Sequence, residues 1–104
     1  MKEEFEEVPA NIHHFERWVS ETEATSLKAA FSEILEQAGF SVVGFTEHHF
    51  PVRGYTCVWL LAESHLAVHT FPADQKTFVQ LSSCNEIKAA AFARILTEFE
   101  NKIR

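Results

Sequence analysis

Apolar residues fall in short blocks along this chain, and the period within each block predicts its element. Ile12 to Val19 alternates well enough to read as a first strand. Leu27, Phe31, Ile34, Leu35 and Ala38 fall on one face of a helix that Thr25 or Ser26 would cap and Gly39 would end. Ser41 to Phe50, rich in Val and Phe, predicts a second strand, and Pro51-Val52-Arg53-Gly54 a turn. Tyr55 to Ala62 is mostly apolar, as in a strand covered on both faces. His65 to Phe71 alternates, with His65, Ala67, His69 and Phe71 on one side and Leu66, Val68 and Thr70 on the other. Pro72-Ala73-Asp74-Gln75 turns the chain into a strand from Lys76 to Ser83. Asn85 then caps a last helix, Glu86 to Ile103, with Ile87, Ala91, Ile95 and Phe99 on one face, widened by Phe92 and Leu96.

The order βαββββα provides two helices, enough to cover one face of a sheet. The expected fold is therefore α+β, a two-layer sandwich with an antiparallel-rich sheet and helices on one face. The other sheet face needs a cover, which a second copy would supply as a homodimer. With 104 residues there is room for a single domain spanning 1–104. The acidic run at Glu3, Glu4, Glu6 and Glu7 makes residues 1–10 a solvated, frayed end.

Composition narrows the partners. A hydrophobic content of 46% with ten Phe excludes a disordered chain. A formal charge of −6 argues against nucleic acid and anionic membranes, and suits a cationic small molecule. Two Cys are too few for a disulfide scaffold, and the apolar run Val58 to Ala62 is far short of membrane length. A cytoplasmic protein with free thiols is expected.

Chemistry concentrates around Glu63-Ser64. A Ser hydroxyl at a strained strand junction can attack the preceding carbonyl, exchanging the peptide bond for an ester. Loss of the Ser64 α-proton then expels Glu63 as a carboxylate, and the dehydroalanine left behind hydrolyses to a pyruvoyl group and ammonia. Such a step needs an oxyanion donor and a base. Thr56 offers the donor and His69 the base. Each residue alone has an ordinary explanation: Ser64 as a turn residue, His69 as a satisfied strand histidine, Cys84 as a small core residue, Thr56 as a strand surface residue.

Taken together they form a pattern. Gly54-Tyr55-Thr56, the apolar strand Val58 to Ala62, Glu63-Ser64-His65, His69-Thr70-Phe71-Pro72 and Cys84 resemble the self-processing site of the S-adenosylmethionine decarboxylase family in its short prokaryotic form. His48-His49-Phe50 resembles that family's His-x-Phe, and the likeness runs from about His14 to Cys84. The resemblance implies cleavage between Glu63 and Ser64, Ser64 becoming the pyruvoyl cofactor. It implies His69 in processing, Cys84 as the acid that reprotonates the substrate carbon, Thr56 as the oxyanion donor and Phe50 stacking on substrate. The pyruvoyl ketone would form a Schiff base with the substrate amine and accept the electrons released by decarboxylation.

Three departures bear on substrate. The family's Glu after Pro, which holds the ribose hydroxyls, is Ala73; an Asp in the strand before Cys is Gln80; the Gly after Cys is Asn85. A charged hydrogen bond contributes about 1.5–3 kcal/mol, so Ala73 weakens the grip on a nucleoside, with Asp74 the nearest substitute. The expected substrate is therefore a basic amino acid, L-arginine or L-ornithine, in polyamine biosynthesis. S-adenosylmethionine itself is the alternative, and an unprocessed regulatory paralogue a second. Zinc between His65 and His69 is disfavoured, because positions four apart in a strand lie about 13 Å apart.

Overall fold

A computed structural model describes residues 11–102. The frayed end expected at 1–10 and the helix end expected at Ile103 lie outside the described residues. Five strands, β1 (His13–Val19), β2 (Val42–His49), β3 (Tyr55–Leu61), β4 (Ser64–Phe71) and β5 (Lys76–Ser83), form one sheet in the order β1-β5-β4-β3-β2. Every neighbouring pair is antiparallel. Helix α1 (Ala24–Ala38) carries the chain from one sheet edge to the other, and α2 (Glu86–Lys102) follows β5. The expected α+β architecture with helices on one face is the one observed.

The core takes one parity from every strand, because successive side chains in a strand point to opposite faces. Trp59, Leu66, Val68, Val79 and Leu81 meet Phe31, Ile34, Leu35 and Phe92 from the helices, all essentially inaccessible. A chain of rings runs through this layer: Phe45 on Trp59 at 5.0 Å, Trp59 on Phe31 at 6.3 Å, Phe31 on Phe92 at 6.1 Å, Phe92 on Phe15 at 5.7 Å. Phe92 thus ties both helices to the sheet, and its loss to Ala would cost about 3–5 kcal/mol.

The helix boundaries differ in part from the sequence pattern. Glu23, rather than Thr25 or Ser26, caps α1: its carboxylate accepts from Ser26 N–H at 2.8 Å, Thr25 N–H at 3.2 Å and Ser26 Oγ at 2.8 Å. Those bonds hold the Glu23 carboxyl below its ordinary pKa, the Ser26 amide contributing most. Gly39 ends α1 in the left-handed region, at φ 92°, as expected. In α2 the buried stripe is Ala89, Phe92, Ile95 and Leu96, with Ala91 and Phe99 half-buried. Ile87 sits roughly 140° around the helix from Phe92 and stands 81% exposed, contrary to its expected place on the apolar face.

Candidate active site

The β3–β4 connection is a hairpin of two residues, Ala62 and Glu63, between the register partners Leu61 and Ser64. Glu63 adopts φ 61°, in the left-handed region. For a residue with a Cβ this region costs about 1–2 kcal/mol. The strain therefore sits at the residue whose carbonyl precedes Ser64. Ser64 opens β4 on the helix-facing side and pairs across to Ser83 of β5, to which its hydroxyl donates a hydrogen bond of 3.1 Å.

Beside this turn lies a cavity of about 290 Å³, lined among others by Glu63, Ser64, Cys84, Asn85 and Lys88. The Cys84 thiol is exposed and follows directly on Ser83. Asn85 caps α2 as expected, its side-chain oxygen accepting from Lys88 N–H at 2.9 Å. The geometry thus gathers Glu63, Ser64 and Cys84 of the predicted site into one place. A larger cavity of about 480 Å³ lies between α1 and α2, at the Val19 end of the sheet. None of the predicted residues lines it.

His69 and Thr56 form a second cluster. They are register partners on β4 and β3, and Thr56 Oγ1 and His69 Nδ1 share a hydrogen bond of 3.1 Å. Both belong to the open face, with His48 beside Thr56 and Phe78 beside His69 in the same cross-strand row. Phe50, 48% exposed, stacks edge-on against His48 at 4.6 Å on that side. Five residues separate Ser64 from His69 within one strand, a distance of roughly 17 Å at 3.3–3.4 Å per residue. The odd separation also puts them on opposite faces. The expectation that His69 and Thr56 lie near Ser64 therefore does not hold within one chain.

The remaining predicted residue, Asp74, lies in the turn that follows the His69 strand. Asp74 and Ala73 are exposed in a short 3₁₀ turn, Pro72–Asp74, after β4. Glu47 points to the helix side, away from Phe50, and accepts hydrogen bonds from Tyr55 Oη and Lys28 Nζ. The Tyr55 bond holds its carboxyl below the ordinary range, while burial drives the Tyr55 hydroxyl pKa up. Among the described residues no group of three or more His, Cys, Asp or Glu is placed to hold a metal ion, and no helix is long and apolar enough to cross a membrane.

Lys88, which lines the cavity, and Ser83, which accepts from Ser64, are residues that motif reading passed over. Counting back from the Phe71–Lys76 pairing at the β4–β5 turn would have found Ser83, since it places Ser64 opposite Ser83.

A two-layer α+β domain with a Ser on a strained hairpin, and a thiol in the same cavity, defines the class. The profile of the S-adenosylmethionine decarboxylase family matches residues 6–102, and the chain belongs to that family. It is 32% identical over 60 residues to the S-adenosylmethionine decarboxylase proenzyme of Prochlorococcus marinus, over 58% of this chain and 48% of that one. Against the proenzyme of the same name from Methanococcus aeolicus it is 31% identical over 75 residues, over 68% of this chain and 64% of the relative. The chain thus spans about half to two-thirds of the length of these relatives. The crystal structure of the adenosylmethionine decarboxylase from Aquifex aeolicus shares the fold, with a TM-score of 0.72 at 19% identity, covering 90% of this chain and 83% of that one.

Proposed function

We propose that this chain is the proenzyme of a pyruvoyl-dependent S-adenosylmethionine decarboxylase that cleaves itself between Glu63 and Ser64. The observation that carries this reading is the left-handed Glu63 directly before a Ser64 hydroxyl held in a cavity with Cys84. These residues fit the group the family implies: the carbonyl to be attacked is strained, the nucleophile is fixed, and a thiol stands ready to deliver a proton. When formed, the group supplies a ketone that takes the substrate amine and accepts electrons as carbon dioxide leaves. Cys84 holds the proton for the substrate carbon, and Phe50 offers an aromatic face for substrate.

S-adenosylmethionine, rather than the basic amino acid expected from Ala73, is the substrate in this proposal, because the relatives carry that name. Ala73 remains the observation for L-arginine or L-ornithine, and it sits in an exposed turn where neighbouring Asp74 is also available.

The working unit in this proposal is a homodimer. Within one chain the Thr56–His69 pair is too far from Ser64 to act on it, so the pair of one copy serves the Glu63-Ser64 junction of the other. The open face favours association: it exposes Trp18 by 48%, Leu60 by 54% and Phe71 by 45%.

Co-expression of Ser64→Ala and His69→Ala chains tests both points. Neither variant alone should cleave. Together, the His69→Ala chain should be cut into 1–63 and 64–104 by intact mass, using its partner's His69. An uncut His69→Ala chain refutes the shared site, and a wild-type chain that stays whole refutes the enzyme. Release of labelled carbon dioxide from S-adenosylmethionine, arginine and ornithine then decides the substrate.

A further inference from the structure

We infer that Ser83 is a positioning residue that aims the Ser64 hydroxyl for self-cleavage, an inference that rests on the processing reading above. Ser83 is 1% exposed at the end of β5, directly opposite Ser64. A hydroxyl has one proton to give and two lone pairs to fill. The Ser83 proton goes to the Asn85 carbonyl at 3.3 Å, and one lone pair takes Asn85 N–H at 3.0 Å. The other lone pair receives the Ser64 hydroxyl at 3.1 Å. Every position on Ser83 is therefore occupied.

Ser83 is anchored as well as filled. Asn85 accepts from Lys88 N–H through its side chain and from Ala89 N–H through its carbonyl, both in the first turn of α2. The acceptor facing Ser64 is thus fixed by a helix rather than by a loop. A serine hydroxyl otherwise samples its staggered positions freely. With its proton directed at Ser83, the Ser64 oxygen keeps its lone pairs for the Glu63 carbonyl.

In the step served, a bond forms between Ser64 Oγ and the Glu63 carbonyl carbon. The bond from that carbon to Ser64 N breaks, and the hydroxyl proton ends on the freed amine. The two bonds from Ser83 to Asn85 would satisfy a strand-end serine without Ser64. The third bond is the one that bears on chemistry.

The test follows cleavage of the full chain by intact mass for wild type, Ser83→Ala and Ser83→Thr, with hydroxylamine added to a parallel sample to break any ester. Ser83→Ala should slow cleavage about tenfold, the scale of one hydrogen bond in the transition state, and Ser83→Thr should restore it. Hydroxylamine should release no extra fragments from Ser83→Ala, because that variant is delayed before the ester. If Ser83→Ala fails to fold, Ser83→Cys keeps the volume with a weaker acceptor and is expected to show the same delay. Cleavage of these variants at the wild-type rate, no recovery in a folded Ser83→Thr chain, or fragments released by hydroxylamine would each overturn the inference. A wild-type chain that never cleaves would overturn the processing reading itself, which is a distinct result.

Discussion

Replacing Glu63 by Gly removes the Cβ that makes its left-handed conformation costly. At φ 61° that cost is about 1–2 kcal/mol. Glycine returns roughly 0.5–1 kcal/mol of it as extra freedom in the unfolded chain. A net gain of roughly 0.5–1 kcal/mol remains, worth about 2–8 °C in melting temperature for a domain of this size. Glu63→Ala, which keeps the Cβ and loses the carboxylate, is the reference. Stability is measured on an uncleavable Ser64→Ala background by thermal unfolding. Cleavage is measured separately, with Ser64 intact. If the strain is released as Ser64 attacks, removing about 1 kcal/mol of it slows cleavage roughly fivefold relative to Glu63→Ala. Gln75, at φ 54° beyond the 3₁₀ turn, is the internal control. Gln75→Gly should stabilise to a similar degree and leave the cleavage rate unchanged. A Glu63→Gly chain no more stable than Glu63→Ala, or one cleaving just as fast, would refute the argument.

The two thiols should separate cleanly in labelling, since burial raises the Cys57 pKa to about 11 while Cys84 is exposed. At pH 8 only about one Cys57 in a thousand is thiolate, so a native Ser64→Ala chain should take one label quickly and the second on unfolding; two fast labels would refute the burial argument. The Glu23 cap should matter above pH 4.5, its ordinary value, and fade as pH falls through its lower folded-state pKa. Glu23→Gln, on the same uncleavable background, should therefore melt below its parent at neutral pH and converge with it in acid; a constant gap across that range would count against the carboxylate as the cap.

Most strands were legible because alternation is a backbone property; β3 was read from an apolar run as covered on both faces, whereas its open-face Leu60 stands 54% exposed in the single chain. The caps Gly39 and Asn85 were legible because few residues suit those positions. Glu23 was not, since Glu is a rare cap and it competes with Thr25 and Ser26 three residues or fewer away. Family likeness was also legible, yet it names residues and not how far apart the fold holds them. The separation of Ser64 from His69 was present in the sequence as an odd spacing within one strand. So was the Thr56–His69 pairing: counting five residues out from Leu61 and Ser64 across a two-residue turn reaches it. What alternation alone does not reveal is the turn length, and the register depends on it.

The topology also explains how the fold can tolerate a cut at residue 63. Cleavage there falls between the two-residue turn and the last pair of the β3–β4 ladder, which runs from Thr56–His69 to Leu61–Ser64, so only that end pair would lose a peptide group. Fragment 64–104 would carry β4, β5 and α2, and fragment 1–63 the remaining elements. In the sheet order β1-β5-β4-β3-β2, the two strands of the shorter fragment lie between strands of the longer one. Both of its outer edges are therefore hydrogen-bonded to the other fragment. Phe92 of α2 packs on Phe31 of α1, so the helix layer is interleaved as well. Separating the fragments would break two strand pairings and open the core, while cutting the turn breaks neither. The new end at Ser64 would gain freedom only at the rim of the cavity, beside Cys84, where the proposed reacting group would meet its substrate.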